Sequence, residues 1–128
     1  MSFVPASKFD LDAVARARAA GYPEIGPVLP ALLEWLRDGN WPVAGALVDV
    51  LALVGTPIGP HIVGILRGSD DIWKYWVLTM LAPRLSVDAR EAIIDECVRI
   101  INSPTDGERL EEVDLAARDI LILHSHDS

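Results

Sequence analysis

Two stretches of the chain carry the same order of apolar and polar positions thirty residues apart. Pro27, Val28 and Pro30 lie over Pro57, Ile58 and Pro60, and Leu32, Leu33, Trp35, Leu36 and Arg37 over Ile62, Val63, Ile65, Leu66 and Arg67. Further along, Asn40 lies over Asp70, Val43 over Trp73, Leu47 over Val77 and Leu51 over Leu81. Apolar residues recurring at three- and four-residue steps predict amphipathic helices. A repeat of this length predicts a helical hairpin that cannot bury its apolar face alone and stacks on the next copy.

The punctuation of the pattern supports that reading. Prolines open the first helix of each unit, where backbone N–H groups have no intrahelical partner to lose. Gly39 and Gly68 supply the stops, and Asn40 and Asp70 stand where a cap for the second helix is needed. Gly55 and Pro83 end the second helices. A third, looser pair follows. Ser86 is placed to cap a helix running to about Asn102, with Ala89, Ile93, Cys97 and Ile100 or Ile101 on one face, before the Ser103-Pro104 break. Thr105 with Glu108 fits the capping box, and Leu110, Val113, Ala117, Ile120 and Leu121 form a single stripe on the last helix. A short helix over Asp10 to Ala20, closed by Gly21, precedes the first unit.

The expectation is an all-α chain, a stack of about three helical hairpins forming an α-α superhelix behind a short N-terminal helix. One domain spans residues 1–128, with units at about 27–54, 57–82 and 86–122 and a fraying tail over 123–128. The second helices, Pro42 to Val54 and Asp71 to Ala82, are apolar nearly all round, which marks them as central. The last helix is one-sided, as a terminal capping unit must be.

Composition sharpens this in two respects. At 128 residues and 51% hydrophobic, the chain has enough apolar surface for one core. The formal charge is −8, and it is concentrated: from Asp88 onward eleven acids face four arginines, leaving −7 there. Phosphate-driven binding of nucleic acid needs clustered Lys and Arg, so that class is disfavoured, whereas a basic protein partner is compatible. The longest apolar stretch is too short to cross a bilayer and is broken by Asp49, and Met1 to Asp12 does not resemble a signal peptide. The chain reads as cytoplasmic.

For chemistry, the face of the second helices is where stacked hairpins bind. Trp41, Asp71, Lys74 and Tyr75 are the candidates there, with Asp49 joining by thirty-residue equivalence to Thr79. The competing reading makes Trp73 and Trp76 core, Asp70 a cap and Asp70–Lys74 an i,i+4 ion pair. Asp49, in apolar company, must reach solvent or find a donor such as Lys74 or Tyr75. His61 stands apart from His124 and His126, so no metal ligand set is expected. Glu91, Asp95 and Glu96 read as a solvated face, and Cys97 as a small core hydrophobe. No phosphate loop, nucleophile elbow or His-Glu-x-x-His motif occurs, and no cofactor is expected.

At Trp35 to Ala44 (WLRDGNWPVA) and Asp70 to Trp76 (DDIWKYW) the chain resembles a bacterial family, the domain of unknown function 5071, whose members are similar to HEAT-repeat proteins. Ser103-Pro104-Thr105 and Glu111-Glu112-Val113-Asp114 match its closing segment, so the resemblance runs from about Lys8 to Leu121. It departs from the family in its extra glycines, Gly45, Gly59 and Gly64. The resemblance implies a HEAT-like fold and carries no catalytic residues.

The function expected is a non-catalytic protein-interaction module, with an unidentified protein partner on the concave face. The alternative is an antitoxin or immunity-type protein using its acidic C-terminal units. A HEAT-like enzyme acting on nucleic acid is less favoured by the charge, and a small-molecule pocket among Trp41, Trp73, Tyr75 and Trp76 is a further possibility. Oligomeric state leaves no signature in the residues.

Overall fold

A computed structural model describes residues 2–127 of the chain. Among them the regular structure is all helical. The α-helices are α1 (Leu11–Ala20), α2 (Leu29–Glu34), α3 (Pro42–Ala52), α4 (Gly59–Leu66), α5 (Asp71–Trp76), α6 (Val87–Glu91), α7 (Ile94–Asn102), α8 (Asp106–Leu110) and α9 (Val113–Asp127). Shorter 3-10 turns and one π-helical segment, Val77–Leu81, extend several of them. None is long and apolar enough to cross a membrane.

The thirty-residue repeat is a structural one. The 3-10 turns Gly26–Val28 and Thr56–Ile58 lie one period apart, and each runs into a helix, α2 or α4. Pro30 and Pro60 are the second residues of those helices, positions where the missing N–H costs nothing. The second helix of unit one, α3, buries Val43, Ala44, Leu47, Val48, Val50 and Leu51. The second helix of unit two is α5 continued by the π segment, which buries Val77, Leu78 and Leu81. α1 packs on α3, α3 on the π segment, and α9 on both α5 and the π segment. That packing order is compatible with stacked hairpins.

Local capping follows the sequence closely at three helices. Asp10 caps α1, Asp70 accepts the Trp73 N–H of α5 at 3.0 Å, and Ser86 caps α6. Thr105 and Glu108 form the reciprocal capping box at α8. Asn40 does not cap α3. That place is taken by Trp41 with Pro42 at the first helical position, so one orphan donor is absent from the start.

The third unit departs most from expectation. The helix expected from Ser86 to Asn102 is interrupted at Ala92–Ile93 into α6 and α7. The single last helix is broken too, because Glu112 takes a left-handed backbone (φ 59°), a rare conformation for a residue with a side chain. Leu110, expected on the buried stripe, is therefore severed from it and is 80% exposed. The tail expected to fray is helical to Asp127, and His124 is buried there. Ser128, the last residue of that tail, lies outside the described residues.

Candidate functional site

The five residues expected on one face are divided among four surroundings. Trp41 stacks edge-to-face on Trp35, ring centres 5.4 Å apart, as part of the α2–α3 corner. Asp49 is half exposed, but its donors are Arg84 and Arg18 rather than Lys74 or Tyr75, because α1 and the end of the π-helical run both pack beside α3. Lys74 belongs to the interior, with Asp71 partly buried beside it. Tyr75 alone lines an open hollow with aromatic company.

Lys74 is the clearest correction. Expected in the open on the binding face, it is 3% exposed, with Nζ 2.9 Å from Asp71 Oδ1 and 3.1 Å from Glu108 Oε2. The predicted Asp70–Lys74 pair does not form. Asp70 faces Arg37 at 3.7 Å, and the Arg37 guanidinium lies 4.8 Å over the Trp73 ring, whose indole N–H donates to the Leu33 carbonyl. These contacts tie unit two back to unit one.

Glu108 is the centre of the buried cluster. It is fully buried, and both its oxygens are engaged: Arg99 donates to each at 2.9 Å, and the Thr105 N–H donates to Oε1 at 2.8 Å. Burial pushes its pKa up, but the Arg99 hydrogen bonds, the Thr105 N–H and Lys74 outweigh that and hold it at about 2. Beside it, Asp71 leans over Gly107 so closely that a Cβ there would collide with the carboxylate. Glu96 is not solvated but bridges Arg67 at 2.6 Å and Arg99 at 3.6 Å.

A second buried cluster holds the C-terminal turn. Arg90, 1% exposed, donates to the Leu85 carbonyl, to His124 Nδ1 and to Asp127. His124 Nε2 lies 2.5 Å from Glu91. Neither cluster leaves a buried side-chain polar atom without a partner among the described residues. Cys97 is core, its thiol pushed up to about 12 by burial and the nearby Glu96. His61 lines a cleft of about 260 Å³ with Pro30, Leu33, Glu34, Gly64, Ile65 and Trp73.

Among several open hollows, one of about 320 Å³ lies between α5 and the α8–α9 corner, and another of about 340 Å³ lies among Arg67, Gly68, Lys74, Glu96, Arg99 and Thr105. Ile72, Tyr75, Trp76, Leu110, Glu111 and Glu112 line the first. Tyr75 and Trp76 meet edge-to-face at 5.3 Å, Ile72 is 50% exposed and Leu110 more so. Two large aliphatic side chains therefore stand in water beside two aromatic rings. The lining of this hollow holds two carboxylates and no cation. Neither Glu111 nor Glu112 forms an ion pair among the described residues.

Backbone strain supports this corner. The left-handed Glu112 costs on the order of 1–2 kcal/mol, and such strain persists where surrounding structure or function demands it. On the other side, Trp76 and Met80 close over Gly39, whose hydrogen in place of a Cβ permits the approach. Met80 leads on to a second hollow, of about 300 Å³, with Gly45, Val48, Asp49 and Arg84. Sequence reasoning missed Ile72 and Leu110 as site residues, having no signal for the break at Glu112.

Compared with known proteins, residues 3–121 match a family model described as Domain of unknown function (DUF5071). No curated protein matches the chain.

Proposed function

With the chain belonging to the DUF5071 family, whose description names no reaction, we propose that it is a non-catalytic protein-interaction module working in the cytoplasm. It receives a segment of a partner protein in the hollow between α5 and the α8–α9 corner. The observation that carries this reading is Leu110, held out in solvent beside Ile72, Tyr75 and Trp76 by the break at Glu112. Exposed aliphatic and aromatic side chains gathered in one hollow recover their hydration cost when a partner covers them.

The ionic groups favour binding over chemistry. The two acids and bases most perturbed by their surroundings, Glu108 and Cys97, are shut inside the core, where they hold packing together rather than face a substrate. The remaining buried charges, Lys74 and Arg90, are engaged by protein partners.

The test is selection from a display library of short random peptides against the folded protein and against Leu110→Ser. The reading expects enriched peptides that lose binding to Leu110→Ser while that variant keeps its helical circular dichroism. Enriched peptides that bind both proteins equally would remove the hollow as the contact surface.

A further inference from the structure

We propose that the occupant of this hollow is a basic segment of a partner protein: one large apolar anchor side chain flanked by lysine or arginine. This rests on the docking role proposed above and names its chemistry.

The apolar and the charged residues of the lining make different demands. Ile72, Tyr75, Trp76 and Leu110 give the lining its apolar part, and the hollow has room for one or two large side chains. It selects an apolar anchor, for which Tyr and Trp walls provide large contact area at small cost in conformational entropy. Glu111 and Glu112 complete the lining, and Asp114 follows in the first turn of α9.

What matters about those carboxylates is where their charge lies. Four acids of the acidic C-terminal stretch are consumed internally. Glu91 meets His124, Glu96 meets Arg67 and Arg99, Glu108 meets Lys74 and Arg99, and Asp127 meets Arg90. Glu111, Glu112 and Asp114 have no such partner among the described residues, and neither do Asp88, Asp95, Asp106 and Asp119, but of these Glu111 and Glu112 line the hollow. The charge of Glu111 and Glu112 lies in the lining of the hollow itself, so a cation arriving beside the anchor is attracted and an anion repelled. An anionic lipid surface or an acidic segment is disfavoured by the same charges.

The experiment uses fluorescently labelled synthetic peptides and anisotropy titration. One peptide has a leucine anchor flanked by lysines, a second has the lysines replaced by glutamates, and a third has the leucine replaced by serine. The expected result is saturable binding of the first only, weakening as salt rises. The paired substitution Glu111→Gln with Glu112→Gln lowers its affinity about tenfold and flattens the salt dependence, and Leu110→Ser lowers it at least as much.

Equal binding of the lysine and glutamate peptides, both lost on Leu110→Ser, would overturn the basic occupant while leaving the docking role standing. Lysine-peptide binding indifferent to all three substitutions would overturn the inference by moving the contact elsewhere. So would failure of every anchored peptide to bind, or Leu110-dependent binding to phosphatidylserine vesicles, or Leu110-dependent self-association in sedimentation.

Discussion

Lys74 and Glu108 meet in the interior, Nζ 3.1 Å from Oε2, with 3% and 0% of their side chains exposed. The pair joins the second helix of unit two to the first turn of α8, across thirty-four residues of chain. It is the fastening that sets the α8–α9 corner beside α5 and so makes the hollow. Charges this deep are weak evidence of net stabilisation, but removing one partner strands the others.

Glu108→Gln keeps most of the side chain's shape and removes the charge facing Arg99 and Lys74. A loss of about 3 kcal/mol is expected, read from the urea midpoint, in the range for breaking a buried pair. Lys74→Met alone should also destabilise, and the double variant should lose less than the sum of the singles, because the second substitution no longer strands a charge. Strict additivity would mean that the two side chains are not coupled.

Stability should fall in acid through the same residue. Glu108 has a folded pKa of about 2, below the 4.5 of an ordinary glutamate. A lowered carboxylate contributes fully above the unfolded value and loses that contribution as pH drops through the folded one. The window is therefore pH 4.5 down to about 2, and the contribution at stake is on the order of 3 kcal/mol. Urea midpoints taken across that window should decline more steeply for the wild type than for Glu108→Gln. Parallel curves would show that other groups carry the acid sensitivity.

Replacing Glu112 by glycine removes the penalty of a left-handed backbone at a residue with a side chain. The expected gain is about 1 kcal/mol, after the larger entropy lost by glycine on folding. A raised thermal midpoint with unchanged helicity would agree. Destabilisation by Glu112→Gly would show that its side chain, not its backbone, secures the corner.

Gly39→Ala places a methyl where the Trp76 ring and the Met80 sulfur now sit. Displacing both costs about 1–3 kcal/mol, typical of overpacking, and should shift the tryptophan emission. Gly45→Ala, where a methyl meets open space, serves as the control and should stabilise α3 slightly through helix propensity.

What could be read in advance was local. The prolines at 27, 30, 57 and 60, the caps at Asp70 and Ser86 and the Thr105–Glu108 box depend on neighbours within a few positions. All of these features appear as expected in the fold. The burial of Lys74 escapes the sequence because one of its two acid partners, Glu108, lies thirty-four positions on, and periodicity carries no information about which distant acid a lysine meets. Leu110 was misplaced for a different reason. Its spacing from Val113 and Ala117 fits one continuous stripe, and only the backbone of Glu112 interrupts it. The π-helical segment after Trp76 likewise shifts the register in a way no spacing rule anticipates. Arg90 and His124, a buried pair built from a helix start and a presumed tail, were invisible on the same ground.

The most direct test of the binding face is an amide chemical-shift map of the ¹⁵N-labelled protein during titration with the leucine-anchored lysine peptide. Shifts concentrated at Ile72, Tyr75, Trp76 and Leu110 to Glu112 are the predicted result. Shifts gathered instead around Pro30, His61 and Gly64, with that corner silent, would contradict it.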